Sequence, residues 1–214
     1  MFPRLLLAPS EREGSEVEGG VPVVAAAQSD PASLPARDEH EGLLVAADPC
    51  VDPERAKKLF GKKTPLDAGV VPIDVVFRNG NDKPILVNLE AIRLQVEPPG
   101  GPRQQLEPLT VEEVIQRILS KGGLDLSAPK PIPGRLPKSR KDKEWQDLES
   151  RIRPHALVMT LVPPKTTVRG YIFFQLGRRT EVLQYSRLYV PEVQFMHNKQ
   201  PLFFFEVDLR KALP

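Results

Sequence analysis

The sequence has little of what small proteins usually build chemistry from. Cysteine occurs once, at Cys50, tryptophan once, at Trp145, and histidine three times. A single cysteine excludes an intrachain disulfide framework and a zinc site made of thiolates. His40, His155 and His197 stand apart, none with a His or Cys at ligand spacing. They read as structural or solvent-facing side chains, although the sequence leaves open whether His155 and His197 meet in space. No run approaches the ~18 apolar residues of a membrane-spanning helix. Catalytic signatures are missing too. There is no Gly-x-Ser-x-Gly elbow. Gly61-Lys62-Lys63-Thr64 departs from a phosphate loop, with Ala56 where the first glycine belongs and Lys63 where the hydroxyl belongs. Cys50, flanked by Pro49 and without a nearby His, reads as an unreactive thiol. No catalytic, metal or cofactor-binding residues are expected.

What the chain does have is proline, 24 residues in 214, about twice the usual ~5% share. Proline inside a helix costs ~3 kcal/mol, so a helical bundle or coiled coil is excluded. Proline at strand ends and in turns suits a mainly β protein. The formal net charge is +2, but unevenly spread. Residues 1–50 carry 9 acidic and 3 basic side chains, whereas residues 121–214 carry 17 basic and 9 acidic ones. Neither half reaches the density of a dedicated nucleic-acid arm.

Residues 1–41 are rich in Glu, Gly, Ala, Pro and Ser, with Phe2 as their one aromatic. They offer too little apolar surface to offset ~1–2 kcal/mol per ordered residue, and are expected to form a disordered tail. Leu5-Leu6-Leu7-Ala8 is short for a signal-peptide core. Val23-Val24-Ala25-Ala26-Ala27 resembles a cleavage site, but acidic residues precede it. The N-terminus therefore keeps two readings, a loose cytoplasmic tail or an incomplete export signal.

Residues 42–214 are expected to form one domain. Leu43–Ala47 opens it as a strand. Asp52-Pro53 starts a helical turn, with Asp52 as cap and Pro53 at the first position, and Phe60-Gly61 ends it. Val71, Ile73, Val75 and Phe77 alternate on one face of a strand whose Pro72 places it near an edge or a strand start. Asn79–Pro84 signals a turn, followed by a return strand Ile85–Val96. The alternation slips between Leu89 and Ile92, which predicts a bulge or break near Glu90-Ala91. Thr110 and Glu113 have capping-box spacing ahead of the stripe Val111, Val114, Ile115, Ile118 and Leu119, with Gly122-Gly123 as the stop. After a Pro-rich basic loop at 129–143 comes a second helix with Trp145, Leu148 and Ile152 on one side. Four more strands are expected, at Ala156–Val162, Val168–Leu176, Val182–Val190 and Leu202–Leu209. The pattern predicts a β-sandwich of about seven strands with a two-helix, Pro-rich basic insertion at about 103–154.

Ala46-Ala47-Asp48-Pro49, Phe60-Gly61-Lys62, Gly69–Asn79 and Asp82-Lys83-Pro84-Ile85, with Pro163-Pro164, Val168–Phe174, Leu188-Tyr189-Val190 and Phe204–Val207, resemble uncharacterised bacterial envelope proteins, often lipoproteins. The pattern is similar, more loosely, to immunoglobulin-like accessory domains. The resemblance implies an immunoglobulin-like sandwich and an extracytoplasmic location, and carries over no catalytic residue. The sequence departs from it at the N-terminus, where no full signal peptide and no lipobox before Cys50 are present. That absence argues for the cytoplasm instead.

Two surfaces are candidates for binding. Arg135, Lys138, Arg140, Lys141 and Lys143 could neutralise an anionic partner, nucleic acid or lipid surface. Asp142, Glu144 and Asp147 blunt that field, and the lack of interleaved aromatics argues against nucleic acid. Alternation in Phe203-Phe204-Phe205 sends Phe203 and Phe205 one way and Phe204 the other, which reads first as core on both faces; otherwise Phe204, with Tyr171 or Phe173, could expose an apolar interface. Asp74, Glu90, Glu206 and Asp208 alternate with apolar residues and read as the solvated faces of strands. The expected function is a non-enzymatic interaction or structural module of the bacterial envelope, with an unknown protein partner. The alternative is a binder of nucleic acid or an anionic surface through residues 130–143.

Overall fold

The computed structural model describes residues 30–120 and 140–213. The expectations for residues 1–29, for the Gly122-Gly123 stop and for the basic loop up to Ser139 lie outside the described residues. Among those described, the chain is mainly β, with eleven strands in three antiparallel sheets. The first sheet has the order β1-β2-β3-β8, from Arg37–His40, Leu43–Pro49, Val70–Asn79 and Thr167–Gln175. The second is β10-β4-β7, from Val193–Phe195, Ile85–Val87 and Leu161–Val162. The third is β11-β9-β5-β6, from Phe205–Asp208, Ser186–Val190, Arg93–Val96 and Gln104–Leu106. Three α-helices complete it: α1 Pro53–Phe60, α2 Val111–Leu119 and α3 Arg140–Ile152.

Strand β3 is the axis of the fold. It pairs with β2 on one side and β8 on the other, and nine of its ten residues are buried. Its odd-numbered residues, Val71, Ile73, Val75 and Phe77, join Leu43, Val45, Ile172 and Phe174 in one core. That core is closed from the far side by Ile85, Leu94, Leu188, Val190, Phe205 and Val207 of the other two sheets. The opposite face is covered by helices. Phe60 of α1, Val114, Ile115 and Ile118 of α2 and Leu148 and Ile152 of α3 pack on Val70, Tyr171 and Phe173. Each such large side chain contributes roughly 1.5–3 kcal/mol by burial. At the other end of that face, Leu44, Ala46 and Val76 are covered by Ala32 and Leu34.

Helices α1 and α2 start as their sequences predict, and α1 also stops as predicted, at Phe60-Gly61. Asp52 accepts the Glu54 and Arg55 N–H groups at 3.1 and 3.2 Å, and Pro53 sits in the first turn. Thr110 and Glu113 form a reciprocal capping box. Trp145, Leu148 and Ile152 line the inner side of α3.

Several expectations are corrected. Residues 30–41 are not tail. Pro31–Ser33 is a 3-10 turn capped by Asp30, and β1 pairs with β2 through a two-residue turn. Glu41 and Gly42 both take positive φ there, +49° and +74°, the geometry of a type I′ hairpin. The strand after Asn79 does not return along β3, whose two edges are already taken; β4 leaves for the second sheet. The predicted break is a 3-10 turn at Leu89–Ala91, capped by Asn88, which passes the chain to β5. Ala156–Val162 is a strand only at Leu161–Val162, and Val182–Val190 begins as a 3-10 turn, Thr180–Tyr185. Only Phe205–Asp208 of the last run is strand. Strand β6 pairs with β5, so the helical insertion begins after Leu106. Arg140–Lys143 belong to α3, not to a loop. Pro72 is the third residue of a strand paired on both sides. It lies beyond the last β2 partner, Pro49↔Ile73, and its carbonyl accepts from Cys50, so its missing N–H costs no ladder bond.

Asn79 ties the first two sheets together. Its buried side-chain amide donates to the carbonyls of Lys83, Val162 and Pro163 at 2.8, 3.1 and 3.2 Å, and its oxygen accepts the Asn81 N–H at 2.9 Å. Asn79→Ala strands these groups in a buried turn and is expected to lower the unfolding free energy by about 2–3 kcal/mol, read by urea denaturation.

Candidate functional site

The chemically richest cluster lies on the helix-covered face of the first sheet. Register sets Asp48 of β2 opposite Asp74 of β3, and Asp74 opposite Tyr171 of β8. Arg169, two residues back along β8, shares that face. Its Nε lies 3.0 and 3.1 Å from the two Asp74 oxygens, and its Nη2 2.6 Å from Oδ2. Arg55 reaches in from α1. Its Nη1 lies 2.6 Å from Asp48 Oδ2, and its Nη2 lies 3.5 Å from the Tyr171 hydroxyl and 3.6 Å from Asp74 Oδ2. Asp74 is 1% exposed, while both arginines are about one-third exposed. The sequence reading of Asp74 as a solvated carboxylate is therefore wrong. A buried carboxylate in a β-strand needs partners, and it has two guanidinium groups. Two carboxylates and two guanidiniums leave the cluster neutral.

The electrostatics describe a clamp rather than a proton-transfer site. Hydrogen bonding to Asp74 raises the Arg169 pKa against the opposing effect of burial. Burial alone would lower that of Arg55, but the hydrogen bond and charge of Asp48 outweigh it, and the net shift is upward. Burial and the Asp74 charge raise the Tyr171 phenol. Burial pushes the Cys50 thiol up to about 11, with Arg55 partly opposing. Neither the thiol nor the phenol ionises near neutral pH, so neither is an activated nucleophile or base there.

The structure separates the three aromatic interface candidates. Tyr171 and Phe173 are 8% and 2% exposed. Their face of β8 is covered by helices, and Phe60 meets their rings edge-on with centroids at 5.6 and 6.2 Å. They are corrected from interface to core. Phe204 is 51% exposed and packs beside Tyr189, centroids 5.5 Å apart. Phe203, which alternation grouped with the buried Phe205, is 74% exposed. Residues 202–204 precede the strand, so the two-residue period does not govern them. The clustering of three phenylalanines before Glu206 was the available signal.

Of the basic candidates, Arg135 and Lys138 lie outside the described residues. Arg140 and Lys141 fall in the first turn of α3, and Lys143 is exposed on the same helix. Gly61 ends α1 with φ +86° and Thr64 caps the following 3-10 turn, so Gly61-Lys62-Lys63-Thr64 is a helix stop, not a phosphate cradle. Lys63 pairs with Glu144 of α3. His155 packs on Phe60 and Tyr171, and His197 on Phe195. Among the described residues no three His, Cys, Asp or Glu side chains gather as a metal site.

No family model matches the chain, and no curated protein matches it. A crystal structure of a functionally unknown protein from Listeria monocytogenes EGD-e is similar over 72% of this chain and 68% of that one. The identity is 14% and the TM-score 0.34.

Two outcomes test the cluster. Asp74→Ala leaves two arginines facing an unfilled buried site and is expected to cost roughly 3–5 kcal/mol, whereas Asp48→Ala, at a partly exposed pair, costs about 1 kcal/mol or less; urea denaturation reads both. Cys50 is expected to react with a disulfide reagent at least about 100-fold faster in denaturant than in the native state, because burial removes both access and thiolate; the absorbance of the released thiol follows it.

Proposed function

We propose that this chain is a non-enzymatic protein-interaction module of the bacterial envelope, on an immunoglobulin-like sandwich scaffold, and that its contact surface centres on Phe203 and Phe204. One observation carries the reading: these two aromatics are 74% and 51% exposed on neighbouring residues, while Phe60, Phe77, Phe173, Phe174 and Phe205 are all but fully buried. Soluble surfaces rarely display paired aromatics without use, and aromatics are enriched at the centres of interfaces. The packing of β2, β3 and β8 against β4, β5, β9 and β11 supports the sandwich scaffold. The envelope motifs at Gly69–Asn79 and Val168–Phe174 support the location. The state of Cys50 and Tyr171 supports a binding role over nucleophilic catalysis. No helix among the described residues is long and apolar enough to cross a membrane.

A photo-crosslinking side chain placed at position 203 tests this, with one at the exposed Val158 as control. The expected result is a discrete protein adduct from position 203, recovered in the envelope fraction and absent at position 158. Phe203→Ser with Phe204→Ser should abolish binding of the protein so identified while changing stability by no more than about 0.5 kcal/mol for each substitution. Turnover in a hydrolase screen that tracks one side chain overturns the reading. So does salt-sensitive binding to DNA, RNA or anionic vesicles that Lys138→Ala, Arg140→Ala and Lys141→Ala remove, which is the outcome expected of the basic segment as the binding surface.

A further inference from the structure

The hairpin that leads into Phe203 carries a cleft. Strand β10 runs out to a turn at residues 196–198, and the chain returns through Pro201, which bridges to Gln194. On its other side β10 pairs with β4. These segments enclose a cleft of about 340 Å³, whose walls include Leu86, Asn88, Pro191, Glu192, Gln194 and Pro201. Small-ligand sites span ~300–1,000 Å³, so the cleft has room for one long side chain. The Leu202 N–H donates to the Val193 carbonyl at 2.9 Å, which continues the pairing past Pro201 and sets Phe203 across from Glu192.

The Glu192 carboxylate in this cleft is held in place. Asn88 caps the 3-10 turn at Leu89–Ala91, where its Oδ1 accepts the Glu90 N–H at 3.2 Å. That contact fixes which way the amide faces, and its Nδ2 donates to Glu192 Oε2 at 2.7 Å. The backbone repeats the link, with the Asn88 N–H on the Glu192 carbonyl at 3.0 Å. One amide donor leaves most of a carboxylate's acceptor sites open. Among the described residues Glu192 joins no ion pair. Arg93 and Arg187 of the third sheet are turned to Glu107 and Glu206, at 3.4 and 3.7 Å. Lys199, and Lys83 beside His197, lie at the turn end of the hairpin. The Phe203 end is acidic: Glu41 accepts the Phe203 N–H at 2.7 Å, and Asp38 accepts the Glu206 N–H at 3.0 Å.

An oriented carboxylate across from an open aromatic ring suits one side chain above others. A guanidinium is planar, forks onto a carboxylate through two N–H groups, and stacks on an aromatic face. We infer that the cleft takes an arginine side chain of the partner protein, its guanidinium on Glu192, its plane against Phe203 and its aliphatic stem along Pro191 and Pro201. The inference rests on the reading of Phe203 and Phe204 as the contact surface, and it states what the partner presents there. Charge complementarity argues for this occupant. A purely apolar partner would cover the phenylalanines but strip water from an unpaired carboxylate, which is costly. Lysine brings the charge without the fork or the plane.

The test is an NMR titration of the isotope-labelled full chain with three blocked pentapeptides: Ala-Ala-Arg-Ala-Ala, and the same peptide with lysine or with uncharged citrulline at its centre. Saturable shifts at Glu192, Gln194 and Phe203 are expected with the arginine peptide, about tenfold weaker binding with lysine, and none with citrulline. Glu192→Gln keeps an acceptor for Asn88 and loses the charge. It should weaken the arginine peptide at least about tenfold and remove its advantage over lysine. Phe203→Leu keeps an apolar side chain without the ring, and should weaken the arginine peptide about threefold. Both residues are exposed, and unchanged amide shifts away from the cleft check that both variants fold. Equal binding of the arginine and citrulline peptides overturns the inference, as do shifts confined to other surfaces or an arginine preference that survives Glu192→Gln. Cross-linking from position 203 separates this inference from the reading beneath it. A captured protein that binds Glu192→Gln as well as the native chain overturns arginine recognition and leaves the interface standing. An arginine-selective cleft without any adduct from position 203 supports the recognition and overturns the interface.

Discussion

Everything in this fold answers to one constraint: strand β3 must be buried on both faces. Val70, Val71, Ile73, Val75, Val76 and Phe77 leave neither parity for water. A two-layer arrangement cannot cover such a strand, because one of its faces would stay exposed. The chain solves this with unlike layers. Two smaller sheets cover the odd-numbered face, and helices α1, α2 and α3 with the Ala32–Leu34 segment cover the even-numbered one. The helical insertion is thus a wall of the structure rather than a decoration on a completed sandwich. The same demand explains why residues 30–36, polar enough to look like tail, are ordered: they cover Leu44, Ala46 and Val76.

Within that doubly buried strand, Asp74 sets the register. A slip by one residue would turn every side chain of β3 to the other face. It would carry Asp74 away from Arg169 and Arg55 and into the apolar core of Ile73 and Phe174. A buried carboxylate without a partner costs far more than a misfitted methyl group. Arg55 brings α1 into the same lock, since it bridges Asp48 and Asp74 across two strands. The cluster therefore contributes specificity of strand pairing and of helix docking, a use of buried charge that fits its neutrality and the protonated state of its thiol and phenol.

What was legible in the sequence follows from range. Helix α2 is legible because its capping box and apolar stripe are contained in ten residues. The break after β4 is legible because the parity of Ile85 and Val87 changes by Ile92 and Leu94. Partner choice is not legible. Asn79–Pro84 carries a hairpin signal, yet the strand it feeds cannot pair with β3, because β2 from earlier and β8 from ninety residues later hold both edges. Asp74 was misread for the same reason. Alternation assigned it to water, and only the three helices and Arg169 make its face an interior. The signal it did carry was its isolation, one charge in Val-Val-Pro-Ile-Asp-Val-Val-Phe. Alternation failed at Phe203–Phe205 because it holds only where the backbone is in a sheet.

The treatment of strand edges gives the exposed aromatics their meaning. β6 is three residues long and lies between Pro102 and Pro108. The outer edge of β8 is covered where the Leu109 and Leu157 N–H groups reach the Phe173 and Tyr171 carbonyls at 2.8 and 2.9 Å. β10 is backed by Pro201. At β11, Asp38 accepts the Glu206 N–H, and just before the strand Glu41 accepts the Phe203 N–H. Each device shortens an edge, covers it or places charge on it, which are the known ways of keeping a β protein from pairing with its neighbours. Phe203 and Phe204 stand beside the most elaborate of these devices and are themselves left uncovered. A chain that guards its edges this thoroughly against indiscriminate association, and then presents two phenylalanines next to one of them, fits the partner surface proposed for it.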